Sequence, residues 1–198
     1  MVTLDTRQRE YAQRLQQQES VWWKRWLDVQ APYRWHIRRL KPGFVLDIGC
    51  GLGRHLAHLG GHGVGIDHNP HSVAAARARG LEAFTPEEFR QSPFHAPERF
   101  DSLLVSHVLE HVTRQEAVAL LRAHLPLLKT GGRVILICPQ EAGYRSDPSH
   151  VEFVDFAALR AIEADAGLVH VKAYSFPFPR WTGRFFRHNE FVCVGKKP

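Results

Sequence analysis

The 198-residue sequence predicts an α/β fold built on a doubly wound, largely parallel sheet. Two observations predict it. The apolar run Val45-Leu46 ends in Asp47 and is followed by Gly49, Gly51 and Gly53, after which a helix begins. A second apolar run, Val64-Gly65-Ile66, ends in another acid, Asp67. Strand, glycine turn, helix, strand and acid make a loop suited to a nucleoside-like cofactor at the edge of a parallel sheet.

The elements follow in order. Residues 4–20 are a polar helical stretch. Val21–Leu27 and Pro32–Leu40 are amphipathic and aromatic and predict two helices, with Trp22, Trp26 and Leu27 on one face. Residues 1–42 then read either as aromatic packing on the sheet or as a helical lid over an acceptor. Asn69 caps a helix with Pro70 at its first position, ending near Gly80. Leu81–Thr85 reads as a third strand. Thr113-Arg114-Gln115-Glu116 is a capping box opening a helix to about Leu125. Gly131-Gly132 turns into a strand from Arg133 to Cys138. Asp155 caps a helix that stops at Gly167. Val169–Phe176 and Glu190–Gly195 are the last strands. The prolines and aromatics between them, about residues 177–188, suit a stiff insertion near the strand ends.

The chain length suits one domain, 1–198, with a core from residue 43 onward. No apolar run is long enough to span a membrane. The first nineteen residues are too polar for a signal peptide. Three cysteines, Cys50, Cys138 and Cys193, form no C-x-x-C pair, and a reducing cytoplasm is the expected setting. The net charge is +6 and uneven: residues 1–44 and 170–198 each carry +5, and the middle carries −4. Those flanks read as solvated surface or as a basic rim attracting an anionic acceptor.

The glycine spacing narrows the ligand. A dinucleotide fingerprint is G-x-G-x-x-G with a pyrophosphate over the helix N-terminus. Here the spacing is G-x-G-x-G, and Arg54 stands where the last glycine would be. Asp47 opposes a pyrophosphate and suits a ligand bearing an ammonium. An NAD(P)-dependent oxidoreductase is therefore disfavoured.

These residues resemble the class I S-adenosylmethionine-dependent methyltransferases. Asp47–Gly53 is similar to their first motif. Phe100–Val112 resembles their fourth-strand motif, and Leu127–Ile137 their turn into the fifth strand. The resemblance implies a Rossmann-like seven-stranded sheet with the last strand antiparallel. It implies S-adenosyl-L-methionine as cofactor, with Asp67 on the ribose hydroxyls. The implied cofactor residues are Asp47, Gly49, Gly51, Gly53, Asp67, His68, Thr85, Pro86, Glu87, Ser106 and His107. Glu87 and Glu88 read equally as adenine contacts or as the first turn of a helix.

The expected activity is methyl transfer to a small-molecule acceptor, most readily at a hydroxyl oxygen, with a histidine base. His150 and His107 are the favoured bases and His111 the third candidate, since an imidazole titrates near neutral pH. His107-x-x-Glu110-His111 also offers a divalent-ion alternative. Some quinone-pathway O-methyltransferases that the chain resembles tend to have an acid where His107 stands, and no metal is assigned. A nucleic-acid methyltransferase is disfavoured because no D/N-P-P-Y/F follows the fourth strand. A non-catalytic cofactor-binding regulator is the remaining alternative. The sequence leaves the oligomeric state open.

Overall fold

The computed structural model describes residues 30–198. The expected helices over 4–20 and Val21–Leu27, with Trp22 and Trp26, lie outside the described residues. The chain divides into two compact units between His95 and Ala96.

The first unit runs α1 (Ala31–Arg39), β1 (Val45–Ile48), α2 (Arg54–His58), β2 (Gly63–Ile66), α3 (Pro70–Ala78), β3 (Ala83–Phe84) and α4 (Pro86–Arg90). β1 pairs β2 and β2 pairs β3, both parallel. β1 and β2 are buried throughout, as parallel strands covered on both faces require. α1 has Pro32 in its first turn and buries His36 and Ile37. Its Arg38 donates to the His58 carbonyl at 2.6 Å, which ties α1 to the end of α2. Asn69 caps α3 as expected, accepting from the His71 and Ser72 N–H groups.

The second unit runs β4 (Phe100–Ser106), a 3-10 turn at Leu109–His111, α5 (Arg114–His124), β5 (Leu128–Pro139), α6 (Glu141–Tyr144), α7 (Phe156–Asp165), β6 (Val169–Phe176), a 3-10 turn at Arg180–Arg184 and β7 (Glu190–Lys196). β4 and β5 are parallel, while β7 is antiparallel to both β5 and β6. The strands form one seven-stranded sheet in the order β3-β2-β1-β4-β5-β7-β6. The last strand is antiparallel, as the resemblance implied.

Two boundaries differ from expectation. β5 starts at Leu128, ahead of the glycine pair. The register explains this: Leu128 faces Phe100 and Arg133 faces Ser102, so residues 129–132 bulge out within the strand. Gly131 has a positive φ and donates to the Lys197 carbonyl at 3.1 Å. The glycine turn exists, but inside the strand. β3 is only two residues long, because Thr85 already serves as the cap of α4. The insertion expected at 177–188 is present and exposes its aromatics, Trp181 at 66% and Phe185 at 81%. Among the described residues, no helix is long and apolar enough to cross a membrane.

Candidate active site

The glycine loop of the first unit is built by backbone hydrogen bonds. Gly49 and Cys50 N–H groups donate to the Ile66 carbonyl at 2.8 and 3.0 Å, so the chain leaving β1 folds over the end of β2. Gly51 and Gly53 both take positive φ. A side chain at Gly53 would strike Leu81 and Ala76, whereas a Cβ at Gly51 would meet nothing within 4 Å. Gly53 is thus a packing requirement, and Gly51 leaves open space above the loop.

Two acids define this loop electrostatically. Asp67 Oδ2 accepts the Gly51 N–H at 2.8 Å and Oδ1 accepts the Asn69 N–H at 2.8 Å. Asn69 takes the helix cap, yet Asp67 is not left free: it ties the glycine loop to the start of α3. Each oxygen keeps a lone pair for a hydroxyl donor. Asp47 is buried, and neither of its carboxylate oxygens receives a hydrogen bond among the described residues. Burial pushes its carboxyl up to about 7; Arg54 works against that rise and Asp67 adds to it. A buried, unsatisfied carboxylate fits a cationic group brought by a ligand.

Past β3, Thr85 forms a capping box with Glu88, and Glu88 also receives a bidentate pair from Arg77 at 2.7 and 3.2 Å. Glu88 is thereby committed to structure. Glu87 pairs with the i+3 Arg90 at 3.2 Å on the surface. His68 is half exposed, with Nδ1 3.9 Å from Asp67 Oδ1.

In the second unit the three candidate histidines gather around Glu110. β4 ends at the buried Ser106, and His107 turns the chain in a left-handed conformation with φ 56°. That conformation is strained for a residue with a Cβ and is a recurrent mark of functional sites. His107 Nδ1 lies 3.2 Å from Glu110 Oε1 and Nε2 lies 3.0 Å from Glu190 Oε1. Burial alone would lower the His107 pKa, but the two carboxylates outweigh it and raise the imidazole to about 9. At neutral pH His107 is an imidazolium with both N–H groups directed at carboxylates.

His150 is different. Its Nδ1 lies 2.7 Å from the Tyr144 carbonyl, which only a protonated Nδ1 satisfies, so in the neutral ring the lone pair is on Nε2. Nε2 is 4.0 Å from Glu110 Oε1. Tyr144 stacks on the ring at 5.2 Å, and the His111 ring lies 4.8 Å away. Burial holds His111 below its ordinary value. The Glu110 backbone carbonyl accepts Val151 N–H at 2.7 Å, which fixes the His150 loop against the 3-10 turn. Glu110, His111 and His150 offer ligand atoms within 4.8 Å of one another and could bracket a divalent ion.

Residues 46–136, which hold the glycine loop and β4, match the family described as Methyltransferase domain. That match supports a class I S-adenosylmethionine-dependent methyltransferase domain over these residues. S-adenosyl-L-methionine is the cofactor of that domain. Over 100 residues this methyltransferase is 36% identical to a ubiquinone biosynthesis O-methyltransferase of Xylella fastidiosa (strain 9a5c), covering 46% of this chain and 40% of the relative. A protein of the same name from Xanthomonas oryzae pv. oryzae (strain PXO99A) is 37% identical over 100 residues, covering 46% and 41%. The chain therefore spans about 40% of the length of these curated relatives. A SAM-dependent methyltransferase of Archaeoglobus fulgidus shares the fold, with TM-score 0.65 and 19% identity over 83% of this chain and 93% of that one. Magnesium protoporphyrin IX methyltransferase of Synechocystis PCC 6803 with bound SAH does likewise, with TM-score 0.59 and 18% identity over 86% of each.

The residues of the methyltransferase loop fit such a cofactor: an orphaned buried acid suits its ammonium, and open space over Gly51 suits close approach of its chain. Sequence reasoning missed Glu190 and Tyr144. Glu190 stands 83 positions from His107, and no spacing rule connects them. Tyr144 acts on His150 mainly through its backbone carbonyl, which leaves no trace in residue type.

Proposed function

We propose that this methyltransferase acts on a hydroxyl oxygen of a small-molecule acceptor, with His150 as general base. The observation that carries the reading is the 36% identity over 100 residues to a ubiquinone biosynthesis O-methyltransferase. S-adenosyl-L-methionine supplies an electrophilic methyl group on a sulfonium. The protein's remaining tasks are to align the acceptor and remove its proton.

His150 suits the second task. Its Nδ1–H is fixed on the Tyr144 carbonyl, so Nε2 presents the lone pair. As Nε2 takes a proton, Glu110 stabilises the resulting imidazolium from 4.0 Å. His107 is already charged, so it serves as a fixed cation and a holder of Glu110 rather than as the base. His111 packs against the His150 ring and orients it. On the cofactor side, Asp47 receives the ammonium and Asp67 the ribose hydroxyls over Gly49, Gly51 and Gly53. Thr85, Pro86 and Glu87 border the adenine, with His68 and Ser106 beside the cofactor. The arginines of the 177–188 insertion favour an acceptor with an acidic group.

The test is methyl transfer from labelled cofactor to a panel of acidic hydroxylated metabolites. With an accepted substrate, His150→Ala is expected to lower kcat by about 10²–10⁴ while S-adenosylhomocysteine affinity stays unchanged. Normal turnover in His150→Ala would remove it as the base.

A further inference from the structure

A second convergence of chemistry-bearing side chains lies where the C-terminal end of α7 meets β6 and β7. Glu163, in the last turns of α7, is buried. Its Oε2 lies 2.6 Å from His170 Nδ1. Its Oε1 is buried and receives no hydrogen bond of good geometry. Cys193, buried in β7, places Sγ 3.6 Å from the same His170 nitrogen. One ring nitrogen thus faces a carboxylate and a sulfur together. The three ligand atoms lie within 4.8 Å of one another.

The backbone is arranged to make this meeting. His170 pairs with Gly195, but Lys172 pairs with Val194 and Ala173 with Cys193. The irregularity between His170 and Lys172 inserts one residue, Val171, into β6. Side chains alternate along a strand, so an unbulged β6 would set Val171 opposite Gly195 and send His170 to the other face. The bulge turns His170 onto the face that Cys193 and α7 share. Gly195 supplies the room: a Cβ there would stand 2.9 Å from Glu163 Oε1. Bulge, glycine and helix end all bring three donors to one point.

A plain ion pair accounts for less than this. Glu163 and His170 need only one carboxylate oxygen between them, and the second, Oε1, is left buried with the weak thiol donor of Cys193 as its neighbour. Glu, His and Cys are also the mixed oxygen, nitrogen and sulfur donors of zinc chemistry, and three protein ligands with one open position are a common zinc pattern. The His170 side chain is one-third exposed, at 35%, so water can reach the cluster and fill a fourth position.

We propose that Glu163, His170 and Cys193 form a binding site for one zinc-class divalent transition ion, completed by solvent. Binding takes the ionised carboxylate, the neutral imidazole through Nδ1 and the thiolate. The thiol proton leaves to water as the S–metal bond forms. The Nδ1 proton directed at Glu163 leaves to water as the N–metal bond forms, with Nε2 keeping or taking up the ring proton, and no redox change occurs. The ion pins the end of α7 to β6 and β7. None of the three residues has a part in the proposed methyl transfer.

The test uses the full chain, stripped with a chelator and titrated with cobalt(II) chloride, then zinc chloride. Thiolate-bound cobalt gives a charge-transfer band in the near ultraviolet. The expected result is such a band, bleached by zinc, and a zinc-dependent rise in Tm. His170→Ala, a partly exposed position, is expected to weaken cobalt binding at least tenfold and to abolish both signals. Cys193→Ser is expected to lose the band. The Glu110 cluster has its own nearby thiol, Cys138, so the location of the band matters. A band unchanged in His170→Ala, or no band in the unsubstituted protein, would overturn the proposal.

Discussion

Asp67 holds its own loop in shape through two backbone N–H groups, and the cofactor reading asks it to hold a ribose as well. Asp67→Ala removes a charge-assisted acceptor, so S-adenosylhomocysteine affinity is expected to fall by roughly 1.5–3 kcal/mol. Calorimetric titration measures it, and unchanged affinity would contradict the ribose role. Asp47 gives a pH signature. Its carboxyl sits at about 7 in the protein alone, while an ammonium-bearing ligand selects the carboxylate. Affinity is therefore expected to fall as pH drops below about 7, approaching tenfold per unit, and Asp47→Asn should flatten the profile. A flat profile in the unsubstituted protein would remove Asp47 from the ammonium. Both acids were legible because each ends an apolar run beside a glycine turn. The division of labour among the histidines was not. Residue type marks His107 and His150 alike as candidate bases; only their partners, two carboxylates against one carbonyl, separate a fixed cation from a lone pair on Nε2.

Helix starts were the most readable elements, because a cap is a local contract between a side chain and an N–H three residues on. Asn69, Thr113 and Asp155 all cap as their sequences predict. Thr113 Oγ1 accepts the Glu116 N–H, and Glu116 Oε2 returns to the Thr113 N–H at 2.8 Å. Thr113→Ala is expected to cost about 1 kcal/mol, read from the urea midpoint at constant m-value; no shift would mean the exposed box contributes nothing. The elements that escaped the sequence are those set by partners far along the chain. β5 continues across Gly131-Gly132 because Phe100 pairs with Leu128 beyond the bulge. The β6 bulge follows from the register with β7, which no residue in Val169–Phe176 announces. Thr85 closes the strand expected over Leu81–Thr85, yet Glu88 three residues later makes it a cap.

At the scale of the whole molecule, the paired imidazolium of His107 couples folding to pH. His107 has a folded value near 9 against an ordinary 6.5. A group whose folded pKa is raised stabilises fully below its unfolded value, and that contribution is lost as pH climbs through the folded one. Stability is therefore expected to decline between about pH 6.5 and 9. The other shifted groups leave that window largely clear. Asp47, at about 7, finishes titrating at its lower edge, and its own contribution also falls as pH rises from 4 toward 7. His58, lowered to about 4 chiefly by burial, and His111 are neutral in both states above 7. The buried thiols have ordinary values near 9 and enter only at the upper edge. Urea unfolding at pH 7.5 and 8.5 isolates His107 within the window those shifts define. His107→Gln cannot ionise and leaves Glu110 without its cation, so its absolute stability should be lower at both pH values. The deciding quantity is the difference between them. It should be negative in the unsubstituted protein and clearly smaller in His107→Gln, where the three thiols and the tail of Asp47 remain; equal slopes in the two proteins would mean that His107 is not held charged by Glu110 and Glu190, and would return it to candidacy as the base.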